Sequence, residues 1–505
     1  MGGIVNGAGM TPHHRRSRRR TMVGIAICTV IVAALVAGVA ATINTNRVRP
    51  TASTTYLPFD VPSWSTAGRK VFAHYMPHFP LSFDNKPSDS DYYTTQYLTP
   101  TGENGVHAAY GGYLRDRPLP VTPSTAADWK NKNFGTEVDQ ARSVGINGFA
   151  VDVIQARSAS TIVDDMLGVA STRFGFSILL TMDMDGPVAS QSMAGFVDDI
   201  AAYASSVAAT RLDDGRLVLS AFRAENKTPA WWQQVFSLLS QRGISVAFYP
   251  ILLDANSNLE AFAPISYGLS SWGGRNPAFM PTTNVGRGSP VDLITRAHQL
   301  GKQWMQTVAF QDNRPSQGIY DEAVNGTTMR QSWQIATQQN ANWVELITWN
   351  DYAEGTQIAP SVKHGYRILD LMAYYLAQYK SGGTPSILRN AVYVTHRTQT
   401  AAQKPSFPQT KLMTLRAGST PAVNQVEVTA FSQTPGYAGV TINGNQQYCA
   451  IPAGVTTCTF PLANGHVSAW IYSDNAVTAT ADSPVDVTAT PYVQDLQYVA
   501  GGGLR

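Results

Sequence analysis

The rhythm of apolar positions changes three times along the chain. Met22–Ala41 is a run of twenty residues without a charge, long enough at about 1.5 Å per residue to cross a bilayer core as a helix. From residue 69 onward, short β-branched apolar runs alternate with stretches of helical period. They are Val71–Met76, Gly148–Ile154, Phe176–Met182, Leu217–Phe222, Val246–Ile251, Ile265–Leu269, Trp304–Ala309 and Val344–Trp349. Continuous apolar strands between amphipathic helices predict a parallel sheet covered by helices. Eight such units fit a (β/α)8 TIM barrel over 69–387 better than an open doubly wound sheet, and no GxGxxG follows the first run. Thr136-Glu-Val-Asp139 predicts a helix start and Gly145 its end. Tyr366, Leu369, Met372 and Leu376 predict one apolar face of the last helix, stopped at Gly382-Gly383.

Two regions break this alternation. Residues 77–133 form an insertion after the first strand, carrying Tyr92, Tyr93, Tyr97, Tyr110 and Tyr113; its aromatic content argues for an ordered loop over the barrel's C-terminal mouth. In the last stretch, Gln425–Phe431, Gly439–Ile442, Thr457–Pro461, Val467–Tyr472, Ala476–Thr480 and Asp486–Thr490 are short, rich in Val and Thr, and separated by turn residues. They predict a β-sandwich over 388–505. The expected fold class is therefore α/β: a TIM barrel, then a β-sandwich, preceded by a transmembrane or signal segment.

Charge sharpens the picture of the N-terminus. Only 14% of the 505 residues are charged, with a formal net charge of +3, against roughly a quarter in an average domain. Seven basic and no acidic residues fall in positions 1–50, so the remaining chain is net negative. No basic body is left for a nucleic-acid partner. Five arginines between Arg15 and Arg20 place 1–21 as a cytoplasmic tail and the chain after the apolar run outside. Met22–Ala41 is then a membrane anchor, or a signal peptide with Val39-Ala40-Ala41 as its cleavage signal. The Thr/Ser/Pro-rich residues 42–68 read as a linker. Outside the apolar run the only cysteines are Cys449 and Cys458, nine residues apart around a Pro-Ala-Gly turn. They fit a disulfide closing a hairpin in an exported protein.

Catalytic groups of such a barrel come from the C-terminal ends of its strands. Those ends offer His74 and Tyr75, Asp152, Asp183, Tyr249, Trp272, and then Trp349-Asn350-Asp351-Tyr352-Ala353-Glu354. Aromatic rings, amides and carboxylates around one rim suit a sugar: rings stack on it, and polar groups fix its hydroxyls. Phosphate chemistry would call for a Gly-rich Lys loop and zinc hydrolysis for HExxH; neither motif occurs, nor does GxSxG. No cofactor or metal is expected. Asp351 and Glu354, three residues apart beside Trp349, can serve as proton donor and base on opposite sides of a glycosidic bond. His74, Tyr75, Asp152, Asp183, Tyr249, Trp272, Trp349, Asn350 and Tyr352 are the candidate substrate contacts.

The stretches VFAHYM (71–76), GINGFAVDVI (145–154) and above all ITWNDYAEGTQIAPS (347–361) resemble glycoside hydrolase family 71, the endo-acting α-1,3-glucanases. AVYVTHR (391–397), IPAGV (451–455) and the closing PYVQDLQYVAGGG are similar too. The resemblance implies a (β/α)8 barrel with an appended β-sandwich and an inverting hydrolysis of a polysaccharide such as α-1,3-glucan. It puts the base on Asp351 and the acid on Glu354. The Tyr-rich insertion departs from the family's pattern, and loops over the mouth decide which glycan fits. GTQIAPS also resembles the family 99 endo-α-mannosidases and mannanases, whose motif carries Glu where this chain has Asp351. A mannan-cleaving enzyme, or a surface glycan-binding protein without activity, are the alternatives.

Overall fold

A computed structural model describes residues 56–61, 68–280 and 289–505. The basic tail, the Met22–Ala41 run and most of the 42–68 segment lie outside them. Among the described residues no helix is long and apolar enough to cross a membrane.

Seven parallel strands come first: β1 (Lys70–Tyr75), β2 (Gly148–Val153), β3 (Ser177–Asp183), β4 (Leu217–Phe222), β5 (Val246–Leu252), β6 (Gly268–Ser271) and β7 (Gln303–Ala309). A hairpin follows, β8 (Asp312–Arg314) and β9 (Ile319–Asp321), before β10 (Trp343–Ile347) closes the barrel between β7 and β1. The eight-stranded parallel closed barrel fits the (β/α)8 expectation. Only the sixth strand is displaced from its predicted span. Ala263–Ile265, which contains Pro264, forms a tight helical turn, so pairing begins at Gly268. The first helix, Trp129–Ser143, starts a full turn and more before Thr136, which lies mid-helix and donates its hydroxyl to Lys132 O. Phe134, Val138 and Ala141 already share its buried face. Gly145 and Gly382 take left-handed φ values, +87° and +70°, where their helices end.

Side-chain alternation along the strands builds two environments. One set, with Val71, Phe149, Leu180, Leu219, Phe248 and Leu346, packs outward under the helices. The other fills the barrel: Phe72, Ala150, Leu179, Val218, Tyr249, Met305 and Trp343 form an apolar floor. Two residues further along the same strands the interior turns polar, with His74, Asp152, Thr181, Thr307 and Glu345 all buried. A sealed apolar floor under a polar upper layer makes the C-terminal mouth the place for chemistry.

The helix Arg367–Ser381 leads into the C-terminal region: β11 (Ala391–Arg397), β12 (Thr414–Leu415), β13 (Gln425–Ser432), β14 (Gly436–Ile442), β15 (Asn445–Ile451), β16 (Gly454–Pro461), β17 (Val467–Ser473), β18 (Ala476–Asp482) and β19 (Tyr498–Gly502). They form two antiparallel sheets, β16-β13-β11-β19 and β15-β14-β17-β18, while β12 joins the β8/β9 hairpin instead. Val392, Val394, Val428, Val440 and Ile471 belong to one core shared by both sheets. β11, β15 and β19 extend the predicted set. Asp486–Thr490 is no strand: Val487 makes a single bridge to Gly465. Pro484 and Pro491 bracket the segment, and proline cannot donate to a ladder.

Cys449 and Cys458 are disulfide-bonded, with Cα atoms 6.5 Å apart. The bond does not close a hairpin, because β15 pairs with β14 and β16 with β13. It ties the two sheets together across the turn where the chain passes from one to the other. Residues 56–61 of the expected linker are likewise packed: Phe59 stacks on Phe431 at 5.9 Å and meets Tyr374 edge-on at 5.2 Å.

Candidate active site

The loop leaving β10 is folded back on itself by its own backbone and side chains. Thr348 N–H donates to Thr356 O (3.0 Å), and Thr356 N–H donates to Asp351 O (3.1 Å). Asp351 N–H donates to Thr348 Oγ1 at 2.8 Å, and Asp351 Oδ1 accepts from the N–H groups of Ala353 and Glu354 at 3.0 and 2.9 Å. The Asp351 carboxyl is buried and held by one oxygen, leaving the other for chemistry. Glu354 Oε1 lies 2.6 Å from Arg314 Nη1, with its side chain 23% exposed. Arg314 is already engaged by Asp312, through Nε at 2.7 Å and Nη2 at 2.6 Å, so much of its charge is neutralised before it reaches Glu354.

That partition sets the protonation of the pair. Burial pushes Glu354 up to about 8; the Arg314 charge opposes this, and the Asp351 and Asp312 carboxylates reinforce it. Asp351 is raised too, mainly by burial, while the two backbone N–H groups and Arg314 favour its ionised form. Deeper in the mouth, burial carries Asp152 up to about 8, with His74 opposing and Asp183 and Asp351 adding to the rise. Asp183 is raised by burial as well. His74 donates from Nδ1 to Glu345 Oε1 at 2.9 Å. Burial alone would depress its imidazole, but Glu345, Asp152 and Asp183 together raise it.

Of the residues expected from sequence, the structure gathers His74, Asp152, Asp183, Trp272, Asp351 and Glu354 at the mouth. Trp272 meets His74 edge-on at 4.9 Å and Phe222 at 4.8 Å. A cleft of about 480 Å3 runs past Asp152, with His78, Gln155 and Tyr203 on its walls. The other expected contacts fall elsewhere. Tyr75 sits one position beyond His74 on β1 and therefore points outward, as does Trp349. Both donate to the buried Glu137 carboxyl, at 3.0 and 3.1 Å, beneath the helix Trp129–Ser143. Tyr249 belongs to the floor, stacked on Trp343 at 4.8 Å, and Gly268 on the next strand leaves it room, since a Cβ there would strike its ring. Asn350 clamps the insertion: its Oδ1 accepts from Met76 N–H, and its Nδ2 donates to Met76 O and Phe79 O. Tyr352 packs into that insertion with Phe79, Tyr93 and Leu114. The Tyr-rich segment is thus fastened to the loop that carries Asp351 and Glu354.

Sequence reading missed Glu345, Arg314 and Arg275. Glu345 had a signal, being a lone charge inside the apolar strand Trp343–Ile347. Arg314 had none, because its place at Glu354 depends on the β8/β9 hairpin. Arg275 is buried, 3.9 Å from Asp312 and over the Trp272 ring at 5.4 Å. Among the described residues no group of three or more His, Cys, Asp or Glu could hold a metal ion.

The model of glycosyl hydrolase family 71 matches residues 122–498. The chain belongs to that family. Two curated relatives come from Schizosaccharomyces pombe. The glucan endo-1,3-alpha-glucosidase agn1 is 24% identical over 293 residues, 52% of this chain and 63% of that protein. The ascus wall endo-1,3-alpha-glucanase is 21% identical over 247 residues, 46% of this chain and 55% of that protein. This family 71 chain therefore matches a little over half the length of those relatives. Among solved structures, the GH99 endo-alpha-mannosidase from Bacteroides thetaiotaomicron has a TM-score of 0.46 at 15% identity, covering 62% of this chain and 97% of that one.

Proposed function

We propose that the protein is an exported, endo-acting glycoside hydrolase that cleaves α-glycosidic bonds in a polysaccharide, α-1,3-glucan first among them, with inversion. The observation that carries this reading is the Asp351/Glu354 pair at the barrel mouth, one carboxyl fixed by two backbone N–H groups and the other raised to about 8. Family membership and the names of the two yeast relatives support the linkage; the disulfide supports export. Glu354 gives its proton to the glycosidic oxygen as the C1–O bond breaks. Asp351 takes a proton from a water whose oxygen bonds C1 from the opposite face, so the anomeric configuration inverts. His74, Asp152, Asp183 and Trp272 hold the sugar at the cleavage point.

The full chain incubated with α-1,3-glucan, other α-glucans and α-mannans is expected to release reducing ends from α-1,3-glucan, with the first product of opposite anomeric configuration by NMR. Mannan-only products would move the substrate to the mannanase class. Saturable binding without products would make the protein a glycan binder.

The pH profile follows from the two carboxyls. Glu354 must be protonated to act, so kcat/KM falls as pH rises through about 8. Asp351 must be ionised, so the rate also falls on the acid side, at a pH above the ordinary carboxylate range. A rate still climbing at about pH 10 would remove Glu354 as the acid.

A further inference from the structure

The outer face of the β15-β14-β17-β18 sheet carries a row of rings that the barrel does not use. Strand alternation puts Ala438, Val440, Ala469 and Ile471 into the shared core. Tyr437, Gly439, Trp470 and Tyr472 therefore face away from it. Cross-strand register aligns Tyr448 with Gly439 and Trp470 in one rung, and Tyr437 with Tyr472 and Val477 in the next. Gly439 lets the Trp470 indole lie down over the sheet, since a Cβ there would collide with it. Tyr448 stands 5.6 Å from Tyr437 and 6.3 Å from Trp470, ring to ring. Gln446 and Thr480 border the resulting cleft of about 570 Å3. Tyr437, Tyr448 and Tyr472 are 46%, 64% and 40% exposed, a clustering that a soluble protein does not keep on its surface without use.

Charge selects the occupant. From residue 417 to 504 the chain has no Lys or Arg and five carboxylates, Glu427, Asp474, Asp482, Asp486 and Asp495. Asp482 sits opposite Ser468 on this same face. Nucleic acid, anionic lipid and acidic glycans would all be repelled. Lipid insertion would also call for aliphatic side chains flanked by cations, whereas these rings are Tyr and Trp edged by an amide and a hydroxyl. A neutral sugar chain matches every part: its polarised C–H faces lie on the negative faces of the rings, and its hydroxyls meet Gln446, Thr480 and the tyrosine OH groups.

We propose that this sheet face is a second carbohydrate-binding surface that holds a neutral polysaccharide chain outside the barrel. It would keep the enzyme on an insoluble substrate between cuts. The surface does not need the catalytic reading to hold, and the test separates the two.

Adsorption of the full chain to insoluble α-1,3-glucan, in an Asp351→Asn background that slows cleavage, is expected to weaken about tenfold on Tyr448→Ala and on Tyr472→Ala. Tyr448 is mostly exposed, so its removal leaves Tm unchanged. With Asp351 intact, the same variants are expected to hydrolyse a short soluble oligosaccharide at the parental rate and insoluble glucan more slowly. Unchanged adsorption to α-1,3-glucan, other α-glucans and α-mannans would overturn the proposal. So would a dimer by sedimentation that these variants dissociate while adsorption stays constant, or adsorption to phosphatidylcholine vesicles in place of glycan. Tyrosine-dependent adsorption by a chain that cleaves nothing would retain this surface and discard the hydrolase reading.

Discussion

Asp351→Asn and Glu354→Gln are each expected to lower kcat on polysaccharide by about 10²–10⁴-fold, the range that one positioned acid or base contributes. Both replacements keep the local structure. In Asp351→Asn the amide oxygen can still accept from the Ala353 and Glu354 N–H groups. In Glu354→Gln the side-chain carbonyl can still face Arg314, so Tm and glycan binding should stay close to those of the parent in both. The two losses are distinguishable. A substrate with an activated leaving group departs without a proton, so it recovers much of the Glu354→Gln loss and none of the Asp351→Asn loss. Glu354→Gln should also erase the fall in rate near pH 8, because the group that titrates there is gone. Near-parental turnover in either variant on the polysaccharide removes that residue from the chemistry.

The difference between what the sequence revealed and what it concealed follows the range of the interactions involved. Barrel strands announce themselves because each must be apolar on two faces, and all but the sixth lie close to their predicted spans. Asp351 and Glu354 were legible because their spacing and their place after the last strand are local. Which way an aromatic at a strand end points was not, since one residue of register decides it: His74 enters the mouth, and Tyr75 beside it goes to Glu137. Trp349 shares that fate. Arg314 comes from a hairpin whose position depends on β12, far along the chain, so no local pattern could place it. The disulfide pair was legible for the same reason as the carboxyls, but its role was not, because a Pro-Ala-Gly turn looks alike whether it joins one sheet's strands or passes between two.

Arg397→Met is expected to lower the unfolding free energy by about 3–5 kcal/mol, the cost of leaving a buried partner charge uncompensated. Arg397 and Glu322 are 1% and 0% exposed and 2.7 Å apart. Arg397 Nε also donates to Leu496 O at 2.8 Å, and its guanidinium lies over the Tyr498 ring at 4.5 Å. Tyr498 OH donates to the other oxygen of Glu322. Arg397 belongs to β11 and Tyr498 to β19, whereas Glu322 follows β9, so this one cluster joins the β16-β13-β11-β19 sheet to the barrel's hairpin. Removing Glu322 as well, in Arg397→Met/Glu322→Met, should restore part of the loss, since no charge is then stranded. Additive losses in the double variant would mean the two side chains act only as packing. The effect should also reach the mouth: Tyr498 N–H donates to Gln311 Oε1 at 2.8 Å, one residue before β8, which carries Asp312 and Arg314. A chain loosened at Arg397 is therefore expected to lose kcat more than it loses adsorption to glucan, because the aromatic sheet face stands on strands that the cluster does not touch, while Glu354 leans on an arginine that it holds in place.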